Sequence, residues 1–434
     1  MSVSSCFKHG SLCSLLFCST SLSPVFADDR ASASRFLRTS GSSLIGPSGD
    51  TLQLRCVNLD PWLNRPAYLF RAHLTSLLRS PSEVESRLEQ LVGRDTAEQF
   101  WRDWEAKFIT SDDFLQIRSQ GFNCVRLPIN HRRILTFDSH NRVALNPSRI
   151  SSVDRAVQYG DQTGVFVFLT LMTTPGGQNR TPIISDVPST DPTPRLWTGP
   201  SRDENQKLTI ELWKLLAQRY ANSTAVGGLN LLNEPNLPWG TPATMLGSFY
   251  SRLISEIRAI NRNHLLIVEG GNYSKDATVP GLDLRGNPNL MLGFHAYNIF
   301  NPGWANPSDR SFEPFLKTRQ KYNIPIWLSE FGEDKLSWID RVVSLAEKHQ
   351  VHWAVWPWKR VDLGSGRPVI QTISTSSKWN SLADYLISAP FHKKPTREEA
   401  LIAMNQMLQA IQTQNTTQNK ILLRSLTGCC SYQR

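Results

Sequence analysis

The sequence predicts an α/β protein, a (β/α)8 TIM barrel that occupies residues 28–390. Short apolar runs recur eight times along the chain. They are continuously apolar rather than alternating, the pattern of parallel strands covered on both faces. Segments of helical periodicity lie between them, and a strand–helix alternation repeated eight times closes into a parallel barrel. An open doubly wound sheet is the alternative, but no G-x-G-x-x-G follows an early strand.

The strand-like runs are 52–59, 123–127, 165–171, 226–232, 265–269, 290–294, 325–329 and 351–356. Helical periodicity covers 111–119, 148–163, 203–220, 242–261, 312–321 and 336–349, with Asp203 and Ser337 as helix starts. The link between the fifth and sixth runs is short and rich in Gly and Pro, so a helix there is small or missing. Residues 65–108, rich in Trp and charge, predict a helical excursion after the first strand that covers part of the barrel mouth. Residues 391–434 are polar and rich in Gln and Asn, which predicts a helical tail rather than a further domain.

Composition narrows the class. Of 434 residues, 40% are hydrophobic and 19% charged, with 13 Trp, which excludes a disordered or collagen-like chain. No run of about 18 apolar residues occurs, so no integral membrane span is expected. Lys and Arg exceed Asp and Glu by 47 to 37, giving a net charge of +10. The basic residues are scattered, without a basic run, a metal-finger spacing or an RNA-binding motif, so no nucleic-acid partner is expected. H-E-x-x-H, C-x-x-C and Gly-rich phosphate loops are absent, so neither a metal nor a cofactor is expected.

Residues 1–27 combine a weakly basic start at Lys8, a short apolar middle and Ala27 before Asp28 and Asp29. That is the pattern of a secretory signal peptide cleaved after Ala27, giving a secreted or periplasmic protein. The stretch before Cys18 departs from a lipoprotein cleavage box, because Phe17 stands where a small residue belongs. Cys56 and Cys124 lie in apolar strand-like runs and read as buried free thiols. Cys429 and Cys430 lie in the tail, where pairing is open. Asn179, Asn222, Asn272 and Asn415 open N-x-S/T sequons at a frequency expected by chance.

In a parallel barrel, reactive groups project from the C-terminal strand ends. The fourth run ends Leu231-Leu232-Asn233-Glu234-Pro235 and the seventh ends Trp327-Leu328-Ser329-Glu330-Phe331-Gly332. Two glutamates across one mouth suit double displacement at an acetal, with one giving a proton and the other attacking the anomeric carbon, at a carboxyl separation of about 5–5.5 Å. The second run ends Val125-Arg126-Leu127-Pro128, where a buried Arg would sit beside a carboxylate. The sixth ends Phe294-His295-Ala296-Tyr297, placing an imidazole and a phenol at the mouth. The eighth holds Trp353, Trp356 and Trp358, of which Trp353 and Trp358 read as core.

Together these motifs, with Arg55-Cys56-Val57-Asn58-Leu59 and Gly121-Phe122-Asn123-Cys124, resemble glycoside hydrolase family 5, the cellulase family, over about residues 40–385. The resemblance implies that Glu234 is the general acid/base and Glu330 the nucleophile. It implies that Asn233 binds the sugar 2-hydroxyl, that Arg126 and Tyr297 support Glu330, that His295 lines the subsite near Glu234, and that Trp356 forms a sugar platform. The partner implied is an oligo- or polysaccharide, a β-glucan of 1,4- or 1,3-linkage before mannan, with the chain acting as a monomer. The long segment before the second strand and the Pro175-Gly176-Gly177-Gln178-Asn179 loop lean towards the exo-glucanase-like branch.

One departure stands out. Met172 occupies the position of the family's sugar-contacting histidine, and a thioether cannot donate the hydrogen bond an imidazole would. Both glutamates are kept, so hydrolysis is expected to persist, slowed or shifted in substrate. The competing reading is a carbohydrate-binding protein of the same fold that is catalytically impaired. A basic adhesion or nucleic-acid protein is the more distant one.

Overall fold

Eight parallel strands close into a barrel in the order in which the chain makes them. The computed structural model describes residues 35–67, 70, 79–298, 301–362, 366–387 and 393–428. The expected signal peptide, Cys18 and the Cys429–Cys430 pair lie outside the described residues. The barrel strands are β1 (Arg55–Asn58), β2 (Cys124–Asn130), β3 (Phe166–Thr173), β4 (Val226–Asn230), β5 (Leu265–Glu269), β6 (Leu290–Ala296), β7 (Ile326–Gly332) and β8 (His352–Trp356). Each overlaps one of the eight runs anticipated from the sequence, although β6 and β7 continue two or three residues further, into the site.

Helices cover the outside. An excursion of α1 (Pro81–Val92), α2 (Arg94–Lys107) and α3 (Ser111–Ser119) separates β1 from β2. Then α4 (Pro147–Thr163), α5 (Arg202–Arg219) and α6 (Thr244–Ile260) follow β2, β3 and β4. After β5 the chain makes a tight turn at Gly271–Ser274, with Asn272, Tyr273 and Ser274 in the left-handed region, in place of the helix that the Gly/Pro-rich link implied would be small or missing. The helices α7 (Asp309–Tyr322), α8 (Leu336–Lys348) and α9 (Ser377–Ile387) follow β6, β7 and β8. The start of α1 touches the loop beyond β3, where the Ser82 amide donates to Asp186 Oδ1 at 2.8 Å.

Period-2 alternation fills the barrel in layers. The lowest layer is apolar and includes Phe168, Leu265, Ile267, Met291, Trp327 and Ala354. The hairpin Arg38–Ser40/Ser43–Ile45 adds Leu37 and Leu44 and plugs that end. Cys56 and Cys124 belong to this layer and form a disulfide, with Cα atoms 4.5 Å apart. This corrects the reading of two free thiols. The register of β1 on β2 sets the two cysteines directly opposite one another, which the separate runs could not reveal.

Above this lies a polar layer of Asn58, Arg126, Thr170, Asn230, Glu269 and Ser329, all without solvent exposure. Buried polar groups in such number persist only when hydrogen-bonded to one another. The mouth residues stand on this layer.

The polar composition of the tail conceals two amphipathic helices. In α10 (Arg397–Ala410), Ala400, Ala403, Met404 and Met407 are buried, and in α11 (Lys420–Thr427), Leu422, Leu423 and Leu426. Between them Thr417–Gln418 adds an edge to a small sheet with Lys359–Val361 and Gln371–Ile373. Lys359 is fully buried. Its ammonium donates to Phe108 O at 2.6 Å, Ile411 O at 3.2 Å and Thr413 Oγ1 at 3.0 Å, and pairs with Asp113 Oδ1 at 2.8 Å. Replacing Lys359 by Met leaves a buried carboxylate and three acceptors without that cation. Breaking a buried pair in this way is expected to cost about 3–5 kcal/mol, read from chemical denaturation. The double variant Lys359→Met/Asp113→Asn should lose less than the sum of its parts.

Candidate active site

Arg126 enters the polar layer from β2 and spends every donor there. Nε donates to Asn230 Oδ1 at 3.0 Å. Nη1 donates to Asn58 Oδ1 at 3.0 Å and to Glu330 Oε1 at 2.5 Å. Nη2 donates to Asn233 Oδ1 at 2.6 Å and Glu269 Oε1 at 3.3 Å. The planar fork thus joins strand ends from five parts of the barrel, a task a point-charge lysine could not perform.

Glu330 reaches this fork because β7 carries an irregularity. Phe294 pairs with Leu328, but His295 pairs with Glu330, so the register slips by one residue at Ser329. A bulge of this kind re-aims the next side chain. Ser329 therefore stays in the polar layer while Glu330 still faces the mouth. Its second oxygen accepts the Tyr297 hydroxyl at 3.0 Å. Two residues on, Gly332 has φ +145°, and a Cβ there would meet the Trp356 carbonyl oxygen at 2.4 Å. Only glycine lets β7 pass the end of β8 this closely.

Glu234 follows β4 in a left-handed turn, with φ +49°. Neighbours hold its peptide from both sides. The Glu234 amide donates to Glu269 Oε2 at 2.9 Å, and Asn179 Nδ2 donates to the Glu234 carbonyl at 2.8 Å. Gln178 Nε2 donates to the Asn233 carbonyl at 2.9 Å and the Met172 carbonyl at 2.7 Å. The Pro-Gly-Gln-Asn loop thus fixes the Asn233-Glu234 peptide, and Asn179 is buried by that role rather than displayed as a sequon.

His295 Nδ1 lies 2.9 Å from Glu234 Oε1 and 3.6 Å from Glu330 Oε2. Its Nε2 is 3.5 Å from Glu269 Oε2, an ion-pair distance without hydrogen-bond geometry. The geometry thus brings together Glu234, Glu330, Arg126, Asn233, His295 and Tyr297. Trp356, at the end of β8, is buried and packs against Met172 with Ile184 beside it, forming a small apolar wall of the mouth. Trp353 and Trp358 are core residues, as the sequence implied.

Glu269 was missed. It closes the run Leu265-Leu266-Ile267-Val268-Glu269, so the strand-end criterion that found Glu234 and Glu330 would have found it too. Besides the Glu234 amide it accepts the Ser274 hydroxyl at 2.5 Å.

Burial pushes the Glu234 carboxyl up; His295 pulls it back, and the Glu330 and Glu269 charges add to the rise, which prevails. Burial would strip His295 of its proton, but the charges of Glu330 and Glu269 and the bond to Glu234 outweigh it and lift the imidazole to about 10. Burial likewise opposes the charge on Glu269, yet His295, Arg126 and Ser274 hold it at about 2. Oxygen and nitrogen atoms of Glu234, His295 and Glu330 lie within 4.8 Å of one another, a spacing that could also ligate a cation. An imidazole that keeps its proton offers no lone pair for that.

These directions fix a stability profile. His295 is raised from 6.5 to about 10, so its contribution is complete below pH 6.5 and lost as pH rises through 10. Glu269 is lowered from 4.5 to about 2, so its contribution is complete above pH 4.5 and lost as pH falls through 2. Thermal melting is expected to show both slopes, and His295→Gln should flatten both. An unchanged alkaline slope in that variant would show that His295 is not a cation in the folded protein.

Comparison with known proteins identifies the family. The model of the family Cellulase (glycosyl hydrolase family 5) matches residues 84–362. A beta-xylosidase of Phanerodontia chrysosporium is 26% identical over 354 residues, covering 75% of this chain and 71% of that protein. A probable glucan 1,3-beta-glucosidase A of Aspergillus niger is 26% identical over 255 residues, 59% of this chain and 58% of its own length. Among solved structures, endoglucanase Cel5A of Thermotoga maritima aligns with a TM-score of 0.46 and 20% identity, over 58% of this chain and 82% of that one. Because the family match spans more than half of the sequence, the chain belongs to glycosyl hydrolase family 5 and is a glycoside hydrolase.

Proposed function

We propose that the protein is a retaining β-glycosidase that hydrolyses a β-glucan by double displacement. The observation that carries this reading is that one carboxyl oxygen of Glu234 lies within 4.8 Å of one of Glu330. That suits the roughly 5–5.5 Å carboxyl separation of retaining enzymes better than the roughly 6.5–9.5 Å of inverting ones. Glu330, held by Arg126 and Tyr297, attacks the anomeric carbon. Glu234, its proton affinity raised, protonates the departing oxygen. The same Glu234 then takes a proton from the water that releases the sugar from Glu330. Asn233 supports the reading further: its Oδ1 is engaged by Arg126, while Nδ2 is buried with no partner among the described residues and is available to a sugar hydroxyl.

The relatives named as a glucan 1,3-beta-glucosidase and as an endoglucanase favour a glucan ahead of mannan, while the one named as a beta-xylosidase makes a β-xyloside the second substrate to test. The Trp356–Met172 wall offers an apolar face to a sugar ring. The disulfide between Cys56 and Cys124 suits an oxidising compartment, in keeping with secretion. Met172 is the one observation that favours a binding protein with impaired turnover.

Product analysis on β-glucans, mannan and aryl β-glycosides tests this. Glu330→Gln is expected to abolish turnover. Glu234→Gln should lower it by roughly 10²–10⁴-fold, least on aryl glycosides, whose leaving groups need little protonation. The first product should keep the β configuration by NMR. Intact turnover in either variant, or an inverted product, would overturn the assignment. Glucan binding without hydrolysis would leave the binding-protein reading.

A further inference from the structure

We propose that Glu269 is a positioning residue for this reaction, a third carboxylate that fixes the Glu234 peptide and the His295 ring from beneath the site. The inference rests on the reading of Glu234 as acid/base. Glu269 has no solvent exposure, and both of its oxygens are occupied. Oε1 lies 3.3 Å from Arg126 Nη2 and 3.5 Å from Ser329 Oγ. Oε2 accepts from the Glu234 amide and the Ser274 hydroxyl and faces His295 Nε2. A buried carboxylate is retained in a core only where its charge is needed or fully matched.

Two features show what this one does. Glu234 sits at φ +49°, a conformation that a residue with a Cβ leaves unless it is held. The Glu269 oxygen is the hydrogen-bond partner of that very amide. His295 stands between Glu269 and Glu234, so the carboxylate that holds the turn also orients the ring against the acid/base oxygen.

Charge balance gives the arrangement a chemical reason. Before reaction Arg126 and His295 carry two positive charges, Glu269 and Glu330 two negative ones, and Glu234 holds its proton. The bond from Glu330 to the anomeric carbon forms as the glycosidic bond breaks, and the leaving oxygen takes the Glu234 proton. Glu330 is then a neutral ester and Glu234 is negative, so the buried cluster sums to zero before and after. Without Glu269 it would carry one positive charge at both stages, and His295 would shed its proton at lower pH. The other titratable groups facing the cluster are Asp60 beyond β1, Tyr250 on α6, Tyr297 beyond β6 and Glu333 beyond β7. Burial pushes Asp60, Tyr250 and Glu333 towards their neutral forms.

The test is kinetic, on a β-gluco-oligosaccharide, whose sugar leaving group needs the proton. Glu269→Gln should lower kcat by about 100-fold, the scale of a misplaced catalytic group, with KM little changed. It should also move the alkaline limb of the kcat/KM profile to lower pH. Glu269→Asp, which keeps the charge but shortens its reach, should leave that limb near its original place while kcat falls. In a His295→Gln background, Glu269→Gln should move the limb less, through the loss of its own charge beside Glu234 alone. A folded Glu269→Gln with an unchanged profile and kcat overturns the proposal. Should that variant not fold, Glu269→Asp decides: lowered kcat with KM kept supports the role, and unaltered kcat overturns it. Undiminished turnover of that oligosaccharide by Glu234→Gln would instead remove the underlying assignment.

Discussion

A guanidinium shut away from water organises this molecule. Arg126 cannot lose its charge, and a buried cation is tolerable only with anions and oxygen acceptors in contact on every side. Asn58, Asn230, Asn233, Glu269 and Glu330 supply them. They come from the ends of β1, β4, β5 and β7, and so the demand of one side chain draws the barrel's C-terminal ends into a common geometry. In the proposed mechanism the groups that act on the sugar are therefore in place before it arrives, which is how electrostatic preorganisation lowers a barrier without reorganising at the moment of reaction.

The backbone bends where that demand conflicts with regular geometry. The slip in β7 at Ser329 keeps two successive residues useful, one for the polar layer and one for the mouth. The turn at Glu234 adopts a left-handed conformation that its neighbours enforce through its amide and its carbonyl. Strain of this kind gathers at sites that must hold a reactive group in one position. The Met172–Trp356 contact belongs to a different logic: it is apolar and takes no part in the Arg126 network, and in the proposed function it bears on which sugar fits rather than on how the bond breaks.

Much of this was legible in the sequence because physics writes it locally. Continuous apolar runs announce buried parallel strands, and Glu234 and Glu330 stood out because each closes such a run among recognisable neighbours. Glu269 closes one too, but a lone acid before Gly270-Gly271 carries no local mark of its function; that lies in what β2, β4 and β6 bring to it. The Cys56–Cys124 bond was hidden for a similar reason, because strand register is a property of pairs of strands. In the tail, abundant Gln and Asn masked the narrow apolar stripes by which α10 and α11 dock.

Lys359 determines how the polypeptide can be divided. Half of its coordination comes from Phe108 and Asp113 on the excursion, and half from Ile411 and Thr413 after α10. Segments about three hundred residues apart in the chain therefore meet around one ammonium behind the barrel wall. A circular permutation, or a pair of complementing fragments, that parts these flanks would expose that cation to an empty pocket. Cuts at surface loops that keep both flanks on one piece would not.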